Sequence, residues 1–129
     1  MILIAERDHS VRELQRHFLC QAGFDVCFVD DGEAALNKAR SARINLIIAE
    51  ILIPKIDGLS LCRRLREDPL TDSIPVIVFS ILAAAGRATE AGAAAFLRKP
   101  LVESVFLATV RDVIAAQPKA VLEHQWASQ

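Results

Sequence analysis

Polar side chains that could bind a charged ligand follow four of the apolar segments in this chain. In chain order these side chains are Glu6-Arg7-Asp8, Glu50, Ser80 and Lys99. Glu50 is a single carboxylate within a nearly unbroken apolar run, and such an acid is costly to bury unless it has partners. Because ligands bind at the carboxyl ends of the strands in open parallel sheets, these side chains together predict a binding site.

Five apolar segments are typical of strands in a parallel sheet. They span residues 2–5, 24–29, 44–50, 74–79 and 93–97. A helical pattern follows each segment, so that strand and helix alternate along the chain. This alternation predicts an α/β fold with right-handed crossovers, in which a doubly wound (βα)5 parallel sheet has helices on both faces.

Turn and capping residues predict where the helices begin and end. Ser10, with Glu13 three residues later, predicts a capping box at the start of the first helix. Asp57-Gly58 predicts a turn before the third helix. The first helix is expected to bury Val11, Leu14, Phe18, Leu19 and Ala22. The last helix, over residues 102–116, is expected to bury Val102, Val105, Phe106, Thr109, Val110 and Val113.

A single domain over residues 1–116 is the expected organisation for a chain of 129 residues. Residues 117–129 are polar apart from Val121, Leu122 and Trp126. They are predicted to form a C-terminal tail, a linker or a short extra helix.

Charge and composition argue against several function classes. A net charge of -1 opposes binding to nucleic acid or to a membrane surface by this chain alone. The apolar stretches are too short to span a bilayer, and no signal peptide is recognised. The cysteines are odd in number and widely spaced, which predicts reduced thiols in a cytoplasmic protein. They are Cys20, Cys27 and Cys62.

Residues 1–116 resemble the CheY-like receiver domain of two-component response regulators. The residues that carry the resemblance are the acidic cluster after the first strand, Glu50 with Pro54 and Asp57-Gly58, Ser80, Phe96 and Lys99-Pro100. The resemblance implies the strand order 2-1-3-4-5 and a signalling module that is not an enzyme. The implied partners are a histidine kinase or an effector domain.

The resemblance also implies a role for each of these residues. In the family, an aspartate at the end of the third strand accepts a phosphoryl group, and acids after the first strand bind Mg²⁺. Glu50 stands at the acceptor position, and Ser80 and Lys99 stand where the acyl phosphate is bound. Phe96 would be the aromatic that changes rotamer, and the bond from Lys99 to Pro100 is expected to be cis. The face of helix four, strand five and helix five would bind partners, including a second copy of the chain.

Two departures from the family pattern predict a degenerate pseudo-receiver, which keeps the fold and loses phosphotransfer. Glu50 replaces the aspartate, and Arg7 stands at a Mg²⁺-binding position, between the remaining acids Glu6 and Asp8. If Arg7 and Lys99 offset Glu6 and Glu50, the site is neutral, Mg²⁺ binding is weak or lost, and a guanidinium takes the place of the metal. No metal or other cofactor is therefore predicted.

Two interpretations of Glu50 remain open at this point. Paired with Lys99, Arg7 or both, it would stand in permanently for a phosphorylated aspartate. Alternatively, Glu50 and Arg7 form a purely structural ion pair.

The segment after Ser80 departs from the family pattern as well. Ile81 is bulky where the family usually has a small residue, and the stretch from Ser80 to Lys99 is shorter by roughly one helical turn. The apolar run 81–85 either contacts a partner or a second copy, or packs on the sheet.

Two other functions compete with a phosphorylation-independent module. One is an active response regulator that accepts phosphate at Glu50 or another carboxylate, although Asp57 is assigned to the turn. The other is a flavodoxin-like domain that binds a small ligand, which the absence of a Gly-rich phosphate loop disfavours.

Overall fold

The computed structural model describes residues 1–117 and confirms the predicted alternation of strands and helices. The strands are β1 (Ile2–Ala5), β2 (Val26–Val29), β3 (Leu46–Ala49), β4 (Val76–Ser80) and β5 (Ala95–Arg98). The helices are α1 (His9–Gln21), α2 (Gly32–Ser41), α3 (Gly58–Glu67), α4 (Ala85–Glu90) and α5 (Glu103–Ala115). All neighbouring strands are parallel, in the order β2-β1-β3-β4-β5, as the resemblance implies.

The predicted tail lies almost entirely in residues 118–129, outside the described part of the chain, and stays a prediction. None of the helices within residues 1–117 has the length and apolar character needed to cross a membrane.

The register of the sheet brings the polar side chains to one edge. Ala5 pairs with Ala49 across β1 and β3, so Glu6 and Glu50 leave neighbouring strands at the same height. Ser80 pairs with Arg98 across β4 and β5, so Lys99 emerges one residue beyond Ser80. The fold therefore collects the four predicted strand ends at the carboxyl edge of the sheet.

Two apolar layers hold the sheet in place, because alternate strand residues point to opposite faces. One layer joins α2, α3 and α4 to the sheet, and it includes Leu36, Leu61 and Ala88. The other layer joins α1 and α5 through Leu19, Phe106 and Val110, among others. In the second layer the rings of Phe79 and Phe106 lie with their centroids 5.9 Å apart.

The predicted capping box of α1 is wrong. The helix begins at His9, and Asp8 is its N-cap, with Asp8 Oδ1 accepting a hydrogen bond from the Val11 N–H at 3.0 Å. Asp is as good a cap as Ser, and the helix starts early enough to leave Ser10 exposed in its first turn.

The predicted apolar faces of α1 and α5 are too wide. Leu14 is 45% exposed, while Gln15 beside it is buried. Val102 and Val105 are 53% and 51% exposed, because α5 packs on the sheet through a narrower stripe of Phe106, Val110 and Val113.

Replacing Gln15 with methionine is expected to raise the free energy of unfolding by about 1–2 kcal/mol. Gln15 is 1% exposed, and neither its Oε1 nor its Nε2 has a hydrogen-bond partner in the described residues. Methionine fills similar space without an unpaired polar group. Urea denaturation measures the change. Gln21→Met, at the exposed end of the same helix, is the matched control and should change stability by less than about 0.5 kcal/mol. Equal effects of the two changes would contradict the explanation.

Candidate functional site

A buried ion-pair cluster links three strands at the carboxyl edge of the sheet. Lys99 Nζ lies 2.8 Å from Glu6 Oε1 and 2.9 Å from Glu50 Oε2. The exposed fractions of the three side chains are 12% for Lys99, 4% for Glu6 and 6% for Glu50. One ammonium therefore lies between two carboxylates that solvent barely reaches.

The other carboxylate oxygen of Glu50, Oε1, also has partners. Glu50 Oε1 accepts hydrogen bonds from the Ser80 hydroxyl and from the Leu52 N–H, the latter at 3.2 Å. Ser80 Oγ in turn accepts from the Leu82 N–H at 3.2 Å. Glu50 therefore has the partners that a buried acid requires.

The hydrogen bonds keep the cluster charged in spite of its burial. Burial acts to raise the pKa of Glu50, but the hydrogen bonds from Ser80, Lys99 and Leu52, together with the charge of Lys99, outweigh it and lower the pKa. For Lys99, burial acts to lower the pKa, and the bonds and charges of Glu6 and Glu50 outweigh it and raise the pKa. The ionised forms are thus the stable ones near neutral pH.

The predicted role of Arg7 in this cluster is wrong. Arg7 is exposed and makes no salt bridge with any residue of 1–117. Successive residues of an extended chain point to opposite sides, and because Glu6 points into the site, Arg7 points into solvent. The Glu50–Arg7 ion pair does not form, and it is the Lys99 ammonium that lies between the acids. The charge of the buried cluster, two carboxylates and one ammonium, is therefore -1 and not zero.

Asp8 is not free to complete a metal site. Its Oδ1 caps α1, and its N–H donates to Glu6 Oε2 at 3.1 Å. Over residues 1–117, no three His, Cys, Asp or Glu side chains converge in a way that could hold a metal ion. Mg²⁺ needs oxygen ligands in near-octahedral geometry, and in this structure Asp8 Oδ1 is bound to the start of α1.

Asp57 has a structural role in the described chain. It begins α3 as the N-cap, and its Oδ1 accepts from the N–H groups of Leu59 and Ser60 at 2.9 and 3.0 Å. Burial acts to raise the pKa of Asp57, but these bonds and that from the Ser60 hydroxyl outweigh it and lower the pKa. Asp57 is therefore the N-cap of α3. This role is additional to the predicted turn before the helix.

Phe96 and Pro100 occupy the positions expected from the resemblance. Phe96 is half-buried in β5 and packs against the apolar layer of α2, α3 and α4. The peptide bond from Lys99 to Pro100 is cis, as expected. The role of Phe96 as a switch stays a prediction.

Two contributors to the site were not predicted. The ring centroid of Phe79 lies 5.5 Å from Lys99 Nζ, within cation–π range. The backbone of Leu52 donates to Glu50. Phe79 adjoins Ser80 in the sequence, which is a usable signal, whereas a backbone donor leaves no signal in residue types.

The segment after Ser80 is divided between solvent and core. Ile81 is 56% exposed, whereas Ala84 is 3% exposed and packs in the apolar layer with half-buried Leu82. The helix that follows, α4, has six residues and no side-chain cap. Helix four is thus short in this chain.

The sequence profile of the "Response regulator receiver domain" family matches residues 2–111. The transcriptional regulatory protein CseB of Streptomyces coelicolor is 33% identical over 116 residues, which are 88% of this chain and 48% of that protein. Response regulator PleD of Caulobacter vibrioides is 29% identical over 116 residues, 25% of its length. The chain thus spans half or less of the length of these relatives.

Solved structures give the same result. The signal receiver domain of a signal transduction histidine kinase from Syntrophus aciditrophicus superposes with a TM-score of 0.82 at 33% identity, over 88% of this chain and 89% of that one. Chemotaxis protein CheY4 of Vibrio cholerae superposes with a TM-score of 0.79 at 26% identity, over 87% and 96%. With the sheet order and the converging strand ends, these matches show that the chain belongs to the response regulator receiver domain family of two-component signalling.

Proposed function

We propose that this receiver domain signals without being phosphorylated, with Glu50 acting permanently in place of a phosphorylated aspartate. The observation that carries the proposal is the engagement of both Glu50 carboxylate oxygens. One accepts from Ser80 and the other pairs with Lys99. These are the two side chains that the family uses to bind the acyl phosphate.

Residue size explains how Glu50 reaches both partners. Glutamate carries one methylene more than aspartate, so its carboxylate extends further beyond the end of β3. Ser80 and Lys99 therefore bind the carboxylate directly, and a phosphoryl group would have to displace contacts that are already made.

The charge of the site supports loss of the metal-dependent reaction. Transfer of a phosphoryl group needs cations that neutralise the developing charge. Here one acid of the pocket is replaced by Arg7, Asp8 caps α1, and Lys99 lies between Glu6 and Glu50. Coordination of Mg²⁺ is therefore expected to be weak or absent.

Contact with other proteins is the expected output. The face of α4, β5 and α5 would bind a histidine kinase, an effector domain or a second copy of the chain. The exposed Val102 and Val105 at the start of α5 support this assignment. The short helix α4 and the exposed side chain of Ile81 help to determine the shape of this face. We place this activity in the cytoplasm.

One observation favours the alternative of an active regulator that is phosphorylated on a non-standard carboxylate. Because Arg7 points into solvent, no guanidinium covers Glu50, and the cluster keeps a charge of -1 that attracts cations.

A titration of Mg²⁺, then of Mg²⁺ with beryllofluoride, followed by amide NMR shifts, separates the two functions. We expect the wild type to show no saturable shift around Glu50 and Ser80. Arg7→Asp/Glu50→Asp should respond to both additions, because it restores the acid and the shorter acceptor. Arg7→Asp alone is the matched control and should not respond to beryllofluoride. Tight binding of both additions by the wild type would overturn the proposal in favour of the active regulator.

A further inference from the structure

Arg12 of α1 contacts the ends of both β1 and β2, beside the ion-pair cluster. Its Nε donates a hydrogen bond to the carbonyl oxygen of Glu6. Its Nη2 donates to the carbonyl oxygen of Val29 at 2.9 Å and lies 2.6 Å from Asp30 Oδ1. One guanidinium therefore joins the residue that follows β1 to the last residue of β2.

The guanidinium of Arg12 is itself held in place. The side chain is 20% exposed, and its Cζ lies 5.4 Å from the ring centroid of Phe28, within cation–π range. A guanidinium is planar, and its N–H donors are fixed relative to one another. Bonds from Arg12 to two carbonyl oxygens therefore also fix the position of one carbonyl relative to the other.

These bonds fix the backbone of Glu6 on both sides of its Cα. The carbonyl that Arg12 binds belongs to the rigid peptide plane between Glu6 and Arg7. On the other side, the Glu6 N–H donates to the Val29 carbonyl oxygen at 3.3 Å. The direction in which the Glu6 side chain leaves the backbone is thereby set, and its Oε1 lies 2.8 Å from Lys99 Nζ.

We infer that Arg12 is a positioning residue of the ion-pair cluster, which holds the backbone of Glu6 so that the Glu6 carboxylate stays against Lys99. The same peptide plane keeps Arg7 directed into solvent. Within residues 1–117, Arg12 makes no hydrogen bond or salt bridge to Lys99 or Glu50, so it acts through Glu6. This inference deepens the proposed function and rests on it for the signalling role of the cluster.

Arg12→Lys tests the inference, because it keeps the positive charge and removes the planar set of donors. The protons of the Lys99 ammonium, followed by their nitrogen–hydrogen NMR cross-peak in the full chain at neutral pH, report on the contact with Glu6. We expect them to exchange with water about ten-fold faster in Arg12→Lys, because a charge-assisted hydrogen bond is lost whenever Glu6 turns away. The amide signal of Asp8, whose N–H donates to Glu6 Oε2, should shift as well.

Arg16→Lys is the first control. Arg16 lies one helical turn from Arg12 and shares its aromatic contact, with Cζ 4.7 Å from the ring centroid of Phe28. Its side chain is 52% exposed, and its Nε lies 3.8 Å from Glu13 Oε1. Arg16→Lys should change the exchange rate of the Lys99 protons by less than about two-fold.

Arg40→Lys is the second control, because Arg40 forms an ion pair of the same 2.6 Å length with Asp68, at the amino edge of the sheet. It should leave the Lys99 protons unaffected even if urea denaturation shows that stability falls. Unchanged Lys99 exchange in Arg12→Lys, or equal acceleration in Arg40→Lys, would overturn the inference. Either outcome concerns Arg12 alone, since the titration with Mg²⁺ and beryllofluoride tests the proposed function separately.

Discussion

Replacing Lys99 with methionine is expected to lower the free energy of unfolding by about 3–5 kcal/mol at neutral pH. Lys99 is the one cation in contact with the buried carboxylates of Glu6 and Glu50 within residues 1–117. Methionine keeps most of the volume but leaves two like charges in a site that solvent barely reaches. Denaturant unfolding at pH 7 measures the loss.

The pH dependence of the free energy of unfolding tests whether the loss of stability in Lys99→Met is electrostatic. In the wild type the pKa of Glu50 lies below its ordinary value of 4.5. Its contribution to stability is therefore complete above pH 4.5 and is lost as the pH falls through the lower folded-state value. The pKa of Lys99 lies above 10.5, so its contribution is complete below pH 10.5 and is lost as the pH rises through the higher folded-state value.

In Lys99→Met, burial and repulsion by Glu6 are expected to raise the pKa of Glu50. The variant should then recover stability relative to the wild type as the pH is lowered towards 4.5. Lys55→Met is the control, because it removes a lysine from an exposed ion pair. The Lys55 side chain is 60% exposed, and its Nζ lies 3.7 Å from Asp31 Oδ2. That change should cost no more than about 1 kcal/mol. A difference between Lys99→Met and the wild type that does not vary with pH would refute the electrostatic explanation.

Gly58→Ala is expected to lower the free energy of unfolding by about 1–3 kcal/mol and to displace Glu50. A Cβ on Gly58 would overlap the carbonyl oxygen of Glu50 and would lie 2.9 Å from the Cα of Ile51. Both are backbone atoms, so no rotamer change relieves the clash. The Gly58 N–H also donates to the Ile51 carbonyl at 3.0 Å, so the start of α3 is held against the segment that carries Glu50.

Gly86→Ala is the matched control and should have the opposite sign. Gly86 lies within α4, and a Cβ there would meet no atom within 4 Å. Alanine favours a helix over glycine by about 1 kcal/mol, so this variant should be slightly more stable than the wild type. Amide shifts of Leu52 and Ser80 report whether Glu50 has moved. Gly58→Ala with wild-type stability and unchanged shifts would contradict the tight packing described here.

The architecture could be predicted because the strands repeat one pattern. Unbroken apolar runs separated by helical patterns have one common solution, and the polar residues that end the runs then share an edge. The alternation of strands and helices places Glu50, Ser80 and Lys99 at one edge of the sheet. The strand order that makes them neighbours was implied by the family resemblance.

The pairing within the site could not be predicted, because residue types do not show where a side chain points. Arg7 and Lys99 are equivalent as charges in a sequence, yet Arg7 points away from the sheet edge and Lys99 points between the acids. Asp8 and Ser10 are both good caps, and a shift of the helix start by one residue decides between them. Val102 and Val105 fit a helical stripe, but the width of the stripe depends on how α5 lies on the sheet.

The short length of α4 and its lack of a side-chain cap are expected to make this helix open more often than the rest of the fold. A helix of six residues without a side-chain cap lies far below the ~12–15 residues at which isolated helices become marginally stable. Ala88 and Ala91 hold it to the sheet with little apolar area. Its amide protons should therefore exchange with deuterated solvent long before those of β3 and β4, through local opening and not through global unfolding. A partner that binds only the formed helix would bind more weakly in proportion to the fraction of molecules in which α4 is open.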